Sequence, residues 1–145
     1  MASRYKARPR SQIEVQGVKI IQQKLKRMDD GTVQELKRVY FYSANLVARN
    51  AMARIPVRTG LLKSSMRVTT SKRGGWVRAG NKRQVPYAGP VHFGWPNRPN
   101  QAKEWQGGPI APNPFLYSAL DARRDQVEFA FSQGLMKLAR KKGLA

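Results

Sequence analysis

An apolar stripe that ends at a proline is the feature of this sequence that most limits its fold. Apolar or small side chains recur every three or four residues from Val33 to Ile55, which places them on one side of a helix of about six turns. Pro56 ends the helix, because proline has no N–H to donate and the residue before it avoids helical backbone angles. The helix must therefore bury one side against other elements. The stripe consists of Val33, Leu36, Tyr40, Ala44, Val47, Ala51 and Ile55.

A β-hairpin is predicted shortly after this helix. Met66, Val68 and Thr70 alternate with polar residues, which is the period of a half-buried strand. The sequence SKRGG at 71–75 supplies turn residues, and WVRAG at 76–80 resumes the strand pattern. The basic side chains of the hairpin are expected on its solvent face.

Helices are predicted on both sides of these elements. An amphipathic helix runs through Val18 and Leu25, preceded by a short strand around 13–15. Thr32 and Glu35 form a capping box that predicts the start of the striped helix. Near the other end, Asn113 is expected to cap a long terminal helix with Pro114 at its first position. Its apolar face is predicted to consist of Leu116, Leu120, Val127, Phe131, Leu135 and Leu138, and Gly143 suits its end.

The segment between hairpin and terminal helix is rich in proline. Pro86 and Pro90 interrupt residues 85–94, so a short edge strand or an extended segment is expected there. Residues 95–113 lack periodicity and predict a long, irregular, Pro- and Gly-rich loop. The order of elements predicts an α+β fold, with long helices packed against a small antiparallel sheet. We expect a flexible basic arm at 1–10 and a single domain at 11–145.

Positive charge dominates the composition. The chain has 28 Lys and Arg against 8 Asp and Glu, a formal net charge of +20, and every charged side chain from Leu36 to Lys103 is basic. A field of one sign favours a polyanionic partner, such as nucleic acid or an acidic protein surface. A solvated face that only maintains solubility is the alternative. No apolar run approaches the length of a membrane span, so no membrane partner is predicted.

Three groups of residues are candidates for contacts with partners. The hairpin turn and the NKR sequence that follows it are candidates for contacts with DNA or an acidic protein; their cations are Lys72, Arg73, Lys82 and Arg83. The N-terminal arm and the two tryptophans of the long loop are candidate interface residues, although the tryptophans would equally suit a cover for the core. These interface residues are Arg4, Lys6, Arg8, Arg10, Trp95 and Trp105.

Residues typical of catalysis or metal binding do not form a convincing set. The chain has no cysteine, and its one histidine, His92, has no carboxylate within ten residues. Ser64 and Ser65 lack a nucleophile-elbow sequence. Asp121, Asp125 and Glu128 would share one side of a helix, but Arg123 and Arg124 lie among them, which favours pairing on the helix surface. We therefore predict no enzymatic activity, no metal and no cofactor.

Three short blocks, in order, resemble the tail-completion or neck proteins of long-tailed bacteriophages. The first follows the striped helix as IPVRTGLLKSS, the second is YAGPVHFG, and the third is PNPFLYSAL at the start of the terminal helix. Arg58 and His92 depart from the family pattern, which usually has an acidic residue at each position. The matching residues are Pro56, Thr59, Gly60, Leu62, Ser65, Tyr87, Phe93, Gly94, Pro114, Phe115, Leu116 and Ala119.

The resemblance implies a structural role in the virion. Subunits would form a ring, sixfold in the family, at the neck or upper tail and help to join the tail to the DNA-filled head. Partners would be the connector or stopper proteins and the tail terminator or tail tube, with non-specific contact to double-stranded DNA. The protein would be made in the host cytoplasm and reside in the virion. The alternative from composition is a small basic nucleic-acid-binding protein that contacts the phosphate backbone.

Overall fold

The protein has an α+β fold, as the sequence predicts. The computed structural model describes residues 13, 15, 17–56, 60–81, 83–94 and 110–144. Within them, five helices accompany one two-stranded antiparallel sheet. The elements in chain order are α1 (Lys19–Lys26), α2 (Asp30–Arg54), α3 (Leu61–Ser64), β1 (Arg67–Ser71), β2 (Gly74–Arg78), α4 (Ala88–Phe93) and α5 (Phe115–Lys141).

The predicted stripe of α2 forms the centre of the core. Six of its seven side chains are buried, and Ala44 is partly buried. The helix ends at Arg54, and Ile55 takes extended backbone angles, with ψ at 130°. The prediction that Pro56 terminates the helix is therefore confirmed.

The predicted capping box at the start of α2 is wrong. Asp29 is the N-cap residue, and the Thr32 hydroxyl donates a hydrogen bond to the Asp29 carboxylate at 2.7 Å. This bond is the main cause of the lowered pKa of Asp29. Glu35 instead pairs with Lys141 at the end of α5, with 2.8 Å between Oε1 and Nζ. Lys141, which is distant in sequence, thus pairs with the Glu35 carboxylate that the local pattern assigns to the helix cap.

The β-hairpin has its predicted strands and a two-residue turn. Val68 pairs with Val77 and Thr69 with Trp76, and the turn is made by Lys72 and Arg73. Both glycines of SKRGG lie in β2, not in the turn as the sequence suggests. At Gly75 a Cβ atom would lie 3.0 Å from the Tyr40 carbonyl oxygen, so the missing side chain lets the strand pack closely on α2.

Helices α2 and α5 pack against each other at close range. A Cβ atom on Gly134 would lie 2.8 Å from a methyl carbon of Val39. One apolar cluster joins the second half of α2 to the hairpin, α3, α4 and the start of α5. A second cluster joins α1 to the first half of α2 and the end of α5, where the rings of Tyr40 and Phe131 stack with centroids 5.6 Å apart.

The terminal helix is long, as predicted, but its first turns differ from the prediction. It begins at Phe115 with Pro114 as N-cap, one residue later than expected, and Asn113 provides no side-chain cap. In its first turns Phe115 and Ala119 are buried, whereas Leu116 and Leu120 are only partly buried. The four later positions of the predicted face are buried as expected. The helix is followed by Gly143, with φ at +75°, where a stop is predicted.

The segment at 85–94 is helical in its second half, so the prediction of an extended segment is wrong. Val85 forms only an isolated bridge with Asn81, and α4 follows. Pro90 is the third residue of α4, within the first turn, where an N–H has no intrahelical acceptor and proline is tolerated. The prolines therefore do not prevent a helix at this position.

The predicted strand around 13–15 is not formed by its described residues. Ile13 and Val15 lie outside any strand, and each packs against one of the two apolar clusters. The predicted arm at 1–10 and most of the predicted loop at 95–113 lie outside the described residues. The segment 110–113 is described and contains no helix.

Substitutions at two glycines test the joint between α2 and the hairpin. Gly60 has φ at +80° and open space around its Cα, whereas Gly89 lies in α4 with open space and ordinary angles. We expect Gly60→Ala to lower the free energy of unfolding by about 1 kcal/mol, because only the backbone is strained. Gly89→Ala, the matched control, should be neutral or stabilising. Urea denaturation measures both; equal effects would contradict a conformational requirement at Gly60.

Candidate interaction surface

A corner between α3 and the end of the hairpin is fixed by hydrogen bonds. The Gly80 N–H donates to the Ser65 hydroxyl oxygen at 2.8 Å, and this hydroxyl donates to the Leu62 carbonyl at 2.6 Å. The Arg67 guanidinium donates to the carbonyl of Gly80 at 2.9 Å and to that of Ser65 at 3.2 Å. At Gly80 φ is +82°, and a Cβ atom would lie 2.4 Å from the Ala88 Cβ. The corner thus connects three elements at one point.

The three blocks of the phage-like pattern meet beside this corner. Leu62 from the first block and Phe115 from the third are buried in the same apolar cluster. Tyr87 from the second block and Leu116 from the third pack against that cluster. Residues about fifty positions apart in the sequence therefore share one core.

The described ends of the predicted long loop lie side by side. The Asn113 N–H donates to the Val91 carbonyl at 3.0 Å. Gly94 has φ at +80°, and a Cβ atom there would lie 2.9 Å from the Pro112 nitrogen. A side chain at this position would therefore collide with the neighbouring backbone. Among the described members of the pattern, Pro56, Phe93 and Pro114 are exposed.

One face of the hairpin is open to solvent. The opposite face packs on α2, and the side chains of the open face come from alternate residues of the two paired strands. Trp76 is 42 % exposed at its centre, and a shallow groove of about 430 Å³ runs over it. We call this surface the hairpin outer face; it consists of Arg67, Thr69, Trp76 and Arg78.

The turn of the hairpin projects two cations beside this face. Lys72 and Arg73 are exposed, and the Tyr40 hydroxyl donates to the Lys72 carbonyl at 3.4 Å. That bond connects the turn to the helical core. Arg83 is exposed as well, whereas the predicted contact Lys82 lies outside the described residues. Basic side chains are on the solvent face of the hairpin, as predicted.

Sequence reasoning did not select Trp76 as a functional candidate. Trp76 follows the two glycines of the predicted turn, and its orientation depends on the register that pairs it with Thr69. The alternation of WVR supplies a signal, because it places Trp76 and Arg78 on the side opposite Val77. The signal is weak, because alternation places Trp76 and Val77 on opposite faces of the strand but does not show which face is buried.

His92 is buried among aromatic rings, and among the described residues neither ring nitrogen has a hydrogen-bond partner. Ring centroids of Phe93, Phe115 and Tyr117 lie 4.5, 5.1 and 4.6 Å from that of the imidazole. Burial lowers the pKa of His92 below its ordinary value of 6.5, since the charged form loses hydration. The neutral ring acts as a packed aromatic side chain here.

The acidic residues of α5 lie among arginines on the same helix. Arg124 pairs with Asp121 at 3.7 Å, while Arg123 donates to Gln126. Among the described residues, no group of three or more His, Cys, Asp and Glu side chains is arranged to hold a metal ion. In the same part of the chain, no helix combines the length and hydropathy needed to cross a membrane.

Several residues that the sequence analysis names lie outside the described residues. They are Thr59 of the pattern, Arg58, which departs from it, the interface candidates Arg4, Lys6, Arg8, Arg10, Trp95 and Trp105, and the predicted contact Lys82. Comparison of the chain with protein families, curated proteins and solved structures found no match.

Removal of one hydroxyl tests the corner. Ser65→Ala leaves the partly buried Gly80 N–H without an acceptor, which is expected to lower the free energy of unfolding by about 1–3 kcal/mol. Ser64→Ala is the matched control, since the exposed Ser64 hydroxyl bonds only to the Leu61 carbonyl of its own helix. Thermal and urea denaturation measure the difference. Equal stability of the two variants would show that the Ser65 bond contributes nothing.

The burial of His92 makes stability depend on pH. The folded chain binds a proton to His92 less readily than the unfolded chain, because its folded pKa is lowered. Stability from this residue is therefore complete above the ordinary pKa of 6.5 and is lost as pH falls below it, by at most about 1.4 kcal/mol per pH unit. We expect His92→Leu to flatten the dependence of unfolding free energy on pH between about 7 and 5. An unchanged slope would contradict the assignment.

Proposed function

We propose that the protein is a structural component of a phage virion, a tail-completion or head–tail connector protein that assembles into a ring at the neck or upper tail. The observation that carries the proposal is the convergence of the three sequence blocks on one core. Leu62 and Phe115 are buried together, and Tyr87 packs against the same cluster. The three blocks thus contribute to one packed unit, as a shared architectural role requires.

The arrangement of the blocks supports an architectural role for them. Ser65 bonds to Gly80, and Gly94 lies against Pro112, so each block fixes one element to another. The proposal contains no catalytic step, cofactor or metal.

The surfaces of the protein suit contacts with acidic partners. The hairpin outer face and the turn cations Lys72 and Arg73 are exposed, and no carboxylate of the described residues pairs with them. In the proposed assembly they meet acidic surfaces of neighbouring proteins or the double-stranded DNA that passes through the channel. Those neighbours are a connector or stopper protein on the head side and a tail terminator or tail tube on the other. Sixfold symmetry follows from the family resemblance.

A second candidate function is non-specific binding of nucleic acid outside a virion. The observation that favours it is the exposure of Lys72 and Arg73 in the same hairpin as Trp76, which would combine phosphate contacts with base stacking on an aromatic ring. Arg83 is an additional exposed cation. Under this alternative, duplex affinity falls steeply as salt concentration rises, and the chain forms no ring.

Deletion of the gene from its phage or prophage tests the proposal directly. We expect electron micrographs of the induced lysate to show DNA-filled heads beside unattached tails, or tails of abnormal length. A plasmid copy of the wild-type gene should restore joined, infectious particles. Normal particles from the deletion strain would overturn the proposal and leave nucleic-acid binding as the better candidate.

A further inference from the structure

The hairpin outer face carries positive charge that the described residues do not neutralise. Arg67 donates only to backbone carbonyls, and Arg78 has no carboxylate partner among these residues. Arg67 and Arg78 are paired across the two strands, and Trp76 lies two residues before Arg78 on β2, across from Thr69. Tryptophan and arginine are the side chains that most often carry the binding energy of protein interfaces.

A surface of the opposite charge lies on α5. Asp125, Glu128 and Phe129 are three and four residues apart, so they share one side of the helix. Asp125 is exposed, and Phe129 is 68 % exposed. No cation of the described residues pairs with Asp125 or Glu128, since Arg124 pairs with Asp121. We call these three residues the α5 acidic face.

The two surfaces match in chemistry and cannot meet within one chain. The hairpin outer face is opposite the side of the sheet that packs on α2. On α5, Asp125 and Phe129 are exposed, and the partly buried Glu128 lies at the edge of the exposed side. Each combines one exposed aromatic ring with charges of one sign. A chain with a net charge of +20 repels its own copies, so attraction between copies requires a local acidic surface.

We propose that the hairpin outer face of one copy binds the α5 acidic face of the next. The contact joins two different surfaces and is therefore head-to-tail, and such contacts generate a closed ring when the rotation between subunits closes. Trp76 packs with Phe129, and Arg78 pairs with Asp125 and Glu128. This inference rests on the proposed ring-forming function and assigns the subunit interface within it.

Charge reversal on each surface tests the interface in the purified full-length protein. Arg78→Glu, and separately Asp125→Lys with Glu128→Lys, are each expected to weaken self-association at least about tenfold. Arg49→Glu on the exposed side of α2 is the control with the same charge change as Arg78→Glu. Light scattering after size exclusion and native mass spectrometry measure the oligomer. Thermal unfolding must show that every variant remains folded.

Rescue distinguishes a direct contact from a general effect of charge. A chain that carries all three reversals should assemble like wild type, because glutamate then faces two lysines. An equimolar mixture of the Arg78→Glu protein and the protein with Asp125→Lys and Glu128→Lys should also assemble, with the two chains alternating around the ring. Trp76→Ala should weaken association without any change in net charge.

Three results would overturn the inference. They are a wild-type chain that stays monomeric at high concentration, a ring that withstands both reversals, and a ring that Arg49→Glu disrupts as strongly as Arg78→Glu. A ring that withstands the reversals leaves the proposed virion function intact and places its interface elsewhere. Failure of that function itself is decided separately, by normal particles from the gene deletion.

Discussion

Burial of one side of α2 is the constraint on which the rest of the structure depends. Tyr40 shows how this side organises the fold: its ring stacks on Phe131, its hydroxyl accepts a hydrogen bond from Gln22 at 2.5 Å, and it donates to the Lys72 carbonyl. One residue of α2 thus contacts α5, α1 and the hairpin turn. Burial raises the pKa of Tyr40, so the hydroxyl keeps the proton that it donates. Glycines at 75 and 134 let the hairpin and α5 approach α2 closely.

This arrangement separates the charges of the molecule. Glu35 forms ion pairs with Lys141 and Lys142 where the start of α2 meets the end of α5. The hydrogen-bonded pair with Lys141 lowers the pKa of Glu35, but it contributes little stability, because the Lys141 side chain is 65 % exposed. The hairpin has no acidic residue of its own and packs with one face on α2, so its arginines project from the other face uncompensated. The basic surface is therefore a consequence of the fold as well as of the composition.

The sequence predicts those parts of the fold that depend on local patterns. The stripe of α2, its end at Pro56 and the hairpin follow from periodicity and backbone chemistry, and the structure confirms them. The sequence pattern does not predict α4. Proline breaks a helix only beyond its first turn, and whether Pro90 lies in a first turn depends on where the helix begins. The capping box failed because Lys141, 106 residues away, competes for Glu35. The sequence identifies the hairpin outer face only as basic. The position of Trp76 on that face depends on the strand register that pairs it with Thr69, which is known only from the structure.

The residues of the phage-like pattern and the residues that suit binding are almost entirely different sets. Leu62 and Phe115 are buried, so a smaller side chain at either position would leave a cavity. The Ser65 hydroxyl accepts a hydrogen bond from the Gly80 N–H, so its removal would leave that N–H unpaired. His92 is enclosed by rings and carries no charge to a partner. Trp76, Arg78 and Asp125 are exposed, and substitution there costs the fold little. The side chains that hold the corner together are thus separate from those that are exposed for contact with a partner, so a substitution on the binding surfaces can change the contacts without a change in the corner.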